Sequence, residues 1–125
     1  MSKQTILSQD APAPIGPYSQ AVLAGNTLYV SGQIALDAAG NLLSGNIEKE
    51  TDQVMKNIGA ILKAAGMDYS HIVKCTIFIK NMTEFSNINH AYGAFFGDNP
   101  PARETVEISR LPKDANVEIS CIAVK

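Results

Sequence analysis

The stretch IVKCTIFIK, residues 72–80, decides the reading of this chain. It is dense in β-branched and aromatic residues, which favour a pleated strand. Side chains alternate between the faces of a strand, so Val73, Cys75, Ile77 and Ile79 share one face. Ile72, Lys74, Thr76 and Phe78 share the other. Next comes a segment over 82–96 with Phe85, Ile88, Tyr92, Phe95 and Phe96 at helical spacing. Gly97 and the pair Pro100-Pro101 end it. PARETVEIS, residues 101–109, then reads as a turn entering a strand over 103–109. A strand, a helix and a strand in succession predict a parallel pair joined by a right-handed crossover.

On the N-terminal side lies the clearest helix, over 46–66. Its apolar residues Ile47, Val54, Met55, Ile58, Ile61, Leu62 and Ala65 form one stripe. Asn46 is placed to cap its start and Gly66 to stop it. Glu48 and Glu50 near the start and Lys63 near the end suit the helix dipole. Gly59 adjoins the stripe and predicts close approach to a sheet. Residues 3–7 read as a short strand, and 8–18, with three prolines, as a turn-rich loop. QAVLAG and TLYVSG read as a hairpin turning at Gly25-Asn26. Residues 34–45 form a loop with a turn at Gly40-Asn41. The last strand spans 116–124. The order predicts one α+β domain over 1–125, a mixed β-sheet with two helices packed on one face.

Composition narrows the function classes. The 125 residues carry 10 basic and 12 acidic side chains, a net charge of -2. No basic run offers a footprint for nucleic acid, and no Lys/Arg-rich amphipathic helix points to a membrane surface. MSKQTILSQD lacks the apolar stretch of a secretory signal, so a cytoplasmic location is expected. Cys75 and Cys121 sit inside alternating apolar runs and read as inert core thiols. His71 and His90 join no metal-ligand spacing, and neither metal nor cofactor is expected.

Alternation assigns Arg103, Thr105 and Glu107 to the sheet face opposite the helices, with Glu118, Ser120, Ile122 and Val124. Val106 is placed on the core side. A face too apolar for water and too charged for a core predicts an oligomer interface holding a polar pocket. Arg103 and Glu118 stand out in it. A guanidinium grips a carboxylate through two parallel hydrogen bonds. A carboxylate shielded from water moves protons. The competing reading is a plain cross-strand salt bridge between them.

Four segments carry a resemblance: APIGPYSQAV at 13–22, LYVSGQIAL at 28–36, NHAYGAFF at 89–96 and PARETVEISRLPKDANVEI at 101–119. In this order the chain resembles the RidA family of enamine/imine deaminases, within the YjgF group. The resemblance implies a chorismate-mutase-like subunit, three of which assemble as a trimeric barrel with sites between subunits. It implies hydrolysis of 2-imino acids such as 2-iminobutanoate and 2-iminopropanoate to 2-oxo acids and ammonia, which protects pyridoxal-phosphate enzymes. Arg103 matches the arginine that grips the substrate carboxylate, and Glu118 the acid that activates water. Tyr18, Ser31, Gly32, Asn89 and Thr105 match residues lining the cleft. Tyr18 also reads as a packed loop tyrosine, Ser31-Gly32 as a tight pair or bulge, and Asn89 as a helix amide that must find a partner. Thr105 stands where the family often has cysteine. Glu104 departs from the family's usual small residue, and by alternation points away from Arg103. The alternative function is a non-catalytic sensor of 2-oxo or amino acids. RNA cleavage, known in the wider group, is disfavoured by the charge balance.

Overall fold

The computed structural model describes residues 2–125. Its strands are β1 (Lys3–Ile6), β2 (Ala21–Ala24), β3 (Thr27–Gln33), β4 (Ile72–Ile79), β5 (Ala102–Glu107) and β6 (Val117–Val124). Its α-helices are α1 (Ile47–Ala64) and α2 (Phe85–Gly93). One six-stranded sheet runs in the order β1-β2-β3-β6-β4-β5. Only β4 and β5 pair in parallel, as a strand–helix–strand connection requires. The β2–β3 hairpin turns at Gly25-Asn26, with Gly25 at φ 60°.

The stripe of α1 makes the core. Val54, Met55, Ile58, Ile61 and Leu62 are fully buried among Leu28, Cys75, Ile77, Ile79, Val117 and Ile119. Each such side chain contributes about 1.5–3 kcal/mol through burial. Truncating Ile58 to alanine should therefore cost about 2–5 kcal/mol. The Asn46 side chain caps the helix start by accepting from the Lys49 N–H at 3.1 Å. Gly66 follows its end at φ 73°, the left-handed region that a glycine enters without a Cβ clash.

Four details differ from the sequence reading, each for a local reason. The register between β4 and β6 slips between Ile72 and Lys74. This bulge at Val73 turns Ile72 into the core and leaves Val73 49% exposed, the reverse of simple alternation. The second helix is shorter, because a 3₁₀ turn over Met82–Glu84 precedes it and it ends at Gly93. Phe95 and Phe96 lie beyond it and stack on Tyr69 and Tyr92, with ring centroids 5.2 and 4.9 Å apart. Gly59 meets not the sheet but the Tyr69 hydroxyl, which occupies the space a Cβ would need. That hydroxyl donates to the Met55 carbonyl at 2.7 Å.

The fourth difference bears on the site. β5 pairs with β4 so that Arg103 lies beside Cys75 and Thr105 beside Ile77. In-register neighbours in a sheet share a face. Arg103, Thr105 and Glu107 thus face the helices, and Glu104 and Val106 face the open side. The polar/apolar alternation of β5 is inverted relative to expectation. β5 is an edge strand reached only by the shorter helix, so its helix-side positions stay partly wet and tolerate polar residues. Val106, 40% exposed, lies on the open face with Phe78.

Candidate functional site

The residues singled out from the sequence fall into two groups on opposite faces of the sheet. The first surrounds Arg103. Its guanidinium carbon stands 5.1 Å from the Tyr92 ring centroid and 5.6 Å from that of Phe85. Both rings come from α2, seven residues apart on one face, and form a cation–π shelf. Among the described residues no carboxylate lies within salt-bridge distance of Arg103, so the guanidinium carries no internal counter-charge. The cross-strand pair with Glu118 does not form. It is precluded by the register, which sets the two residues on different faces.

Three buried polar atoms in this region also lack a nitrogen or oxygen partner: Asn89 Oδ1, Thr105 Oγ1 and Tyr92 OH, the last with only the weakly bonding Cys75 thiol beside it. Asn89 was expected to find a partner, and its carbonyl oxygen finds none. Buried polar atoms without partners are rare, and each costs about 1–3 kcal/mol. All three lie on β5 and α2, the two elements that carry the guanidinium and its shelf. Burial pushes the Tyr92 hydroxyl well above its usual range, with the Cys75 thiol beside it adding to the effect. Tyr92 therefore remains a neutral donor. Burial likewise raises the Cys75 thiol, which lies in the core as expected.

The second group surrounds Glu118. Its strand places it beside Phe78 on the open face, half-buried. Burial raises its carboxyl above the ordinary glutamate value. The close neighbour is Gly32, where a Cβ would stand 2.6 Å from Glu118 Cδ. Any side chain at 32 would displace the carboxylate. The register between β3 and β6 shifts between Val30 and Gln33, which makes Ser31-Gly32 both a bulge and a tight-packing pair. The Ser31 hydroxyl donates to the Ser19 carbonyl at 2.6 Å and ties β3 to the proline-rich loop. Tyr18 projects from that loop, 46% exposed, its hydroxyl accepting from the Ile15 N–H at 3.2 Å. Tyr18 and Gly32 border one shallow groove together with Pro12, Ile15 and Leu36.

Glu104, the departure from the family pattern, belongs to neither group. It accepts from the Thr76 hydroxyl at 2.6 Å and pairs with Lys74 at 3.0 Å on the open face. Those contacts, the hydroxyl first, hold its carboxyl below the usual range. What the sequence reading missed is the shelf. Phe85 and Tyr92 were legible as a stripe, and the signal for their second use was Asn89 lying between them on the same face.

A mixed six-stranded sheet with two helices on one side places the chain in the α+β class. The chain belongs to the family described as Endoribonuclease L-PSP, the YjgF/RidA group, whose model matches residues 8–125. It is 48% identical over 124 residues to a RutC family protein of Pyrococcus horikoshii, covering 98% of each. It is 42% identical to the human 2-iminobutanoate/2-iminopropanoate deaminase, covering 98% of this chain and 90% of that protein. The solved structure of Escherichia coli TdcF with bound serine superposes with a TM-score of 0.93 at 36% identity, covering 98% of each chain. Among the described residues no helix is long and apolar enough to cross a membrane.

Proposed function

We propose that this protein hydrolyses 2-imino acids, 2-iminobutanoate and 2-iminopropanoate among them, to 2-oxo acids and ammonia. The observation that carries the reading is the unpaired Arg103 on its aromatic shelf, with three buried polar atoms on the same two elements lacking a nitrogen or oxygen partner. A planar guanidinium stacked on rings keeps its N–H edges directed outward for a bidentate carboxylate. The human relative named as an imine deaminase supports the reaction class.

In this reading Arg103 grips the substrate carboxylate and fixes the imine carbon, with Asn89, Thr105 and Tyr92 completing the polar wall. Glu118 accepts a proton from a water as its oxygen bonds to the carbon of C=N. The resulting carbinolamine collapses as Glu118 returns that proton to nitrogen. The C–N bond then breaks as the hydroxyl oxygen forms C=O, its proton passing back to the Glu118 carboxylate, and ammonia leaves. A protonated imine is electrophilic enough to need no further activation. Tyr18, Ser31 and Gly32 shape the Glu118 side of the cleft.

Arg103 and Glu118 lie on opposite faces of one sheet, so one copy holds two half-sites. The proposed site therefore joins the Arg103 group of one copy to the Glu118 group of another, in a homotrimer. A cytoplasmic setting suits this chemistry. The alternative, a non-catalytic sensor of small metabolites, draws support from the serine bound to the TdcF neighbour.

The test is a coupled assay. A threonine dehydratase generates 2-iminobutanoate with semicarbazide present as a competing trap, and release of 2-oxobutanoate is followed. The deaminase reading expects the wild type to outrun the trap and Arg103→Ala not to. A wild type no faster than the enzyme-free control, with 2-oxo acid still binding, favours the sensor.

A further inference from the structure

A cavity of about 530 Å³, sharing no lining residue with either half-site, opens where the start of α1 meets the end of β4 and the start of β6. Its wall includes Asn46, Ile47, Glu50, Lys80, Glu84 and Asn116. The volume falls within the range of small-molecule pockets. Glu50 is 3% exposed, yet among the described residues no cation lies within salt-bridge distance of it. Its one side-chain partner is the Asn116 amide, which donates to Oε1 at 2.8 Å. The Asn116 amide and the partial positive charge of the α1 N-terminus offset part of the cost of burying this carboxylate, and no full positive charge meets it. Lys80 shares the wall but spends its charge elsewhere, on Asp114 at 2.8 Å. Glu84 is the second carboxylate of the wall, and it accepts from Asn87 at 3.3 Å.

We infer that this cavity binds a small organic ammonium: a primary amine in its charged form on a short apolar stem. The wall carries two carboxylates and one lysine that is already paired with Asp114, so the unpaired charge of the wall is negative. A primary ammonium presents three donors, enough to engage Glu50 and Glu84 together. Ile47, half-buried at the rim, supplies the apolar contact for the stem. A metal ion fits less well, because among the described residues no group of three or more His, Cys, Asp or Glu is arranged to hold one. The site does not rest on the deaminase reading, since it shares no residue with either half-site.

The test is titration of the intact protein with n-butylammonium chloride, followed by backbone amide chemical shifts. Sodium butyrate at matched ionic strength serves as the anionic counterpart. Expected are saturable shifts at residues 45–50, 80–84 and 116 with the amine. Glu50→Gln keeps an oxygen to accept from Asn116 but loses the charge, and should weaken binding about tenfold or more. Glu84→Gln lies nearer the surface, leaves the core untouched, and should weaken it less. Arg103→Ala should bind the amine like the wild type. The inference is overturned by the absence of saturable shifts, by unaltered affinity in both glutamine variants, or by butyrate binding better than the amine.

Discussion

The two faces of the sheet treat charge in opposite ways. On the open face Glu104 is fully engaged, with Thr76 at 2.6 Å and Lys74 at 3.0 Å. Across the sheet, one residue earlier in the chain, Arg103 has no anion and rests on two aromatic rings. Neighbouring residues of one strand thus end as a satisfied surface pair and an unsatisfied cation. The lesson is that a charge marks a site by the partner it lacks. Glu104 looked anomalous in sequence and is structurally quiet, while Arg103, half-buried on its aromatic shelf, has no anionic partner.

The comparison can be broken most sharply at Glu118. As the proposed base, its replacement by glutamine should lower turnover of 2-iminobutanoate about 10²–10⁴-fold. Binding of 2-oxobutanoate, measured by calorimetry, should persist. Loss of both together would mean that Glu118 holds the ligand rather than the water. Arg103→Ala should cost about 10²-fold in the coupled assay, because the imine carbon is no longer positioned. Arg103→Lys should recover little, since an ammonium lacks the planar fork. Gly32→Ala is a subtler probe. Its Cβ would fall 2.6 Å from Glu118 Cδ, so it should displace the carboxylate and impair turnover, with little loss in denaturant unfolding because that side chain can swing aside. Binding at the Arg103 half should survive.

A pH series sharpens the comparison further. Burial raises the Glu118 pKa in the folded state. The base is needed ionised, so the acid limb of the rate profile should sit above the ordinary glutamate range and vanish in Glu118→Gln. The stability effect has the same origin. Between the unfolded and the raised folded pKa the native state binds more protons, so this group's contribution falls as pH rises through that window. Wild type should lose stability there relative to Glu118→Gln, as thermal melts would record. The smallest effect is expected at Glu104→Ser, which should retain activity. Abolished turnover would place Glu104 in the cleft and erase the contrast between the faces.

Much of the fold was legible because its signals are local. The stripe of α1, the Gly25-Asn26 turn and the period of β6 each depend on residues a few positions apart. The candidate site was legible only in part. Arg103 and Glu118 stood out by residue type and by resemblance, but they were assigned to one face. Parity within a strand is a local property, whereas parity between strands depends on pairing register. The β4–β5 register that sets Arg103 beside Cys75 and the bulge at Val73 leave no clear local mark, whereas the bulge at Ser31-Gly32 was one of the readings of that pair.

The sequence by itself determined the order of elements, the helix that organises the core and the family. Those follow from periodicity, turn chemistry and motifs that survive without a partner strand. Tertiary structure alone decided that Arg103 turns under the helices onto Phe85 and Tyr92 while Glu118 faces outward. It also decided that Glu50, an ordinary first-turn acid in sequence, becomes a buried side chain on a cavity wall. The physical reason is common to both. Burial and pairing are set by what the packed chain brings alongside a residue, and a linear pattern does not contain that neighbour.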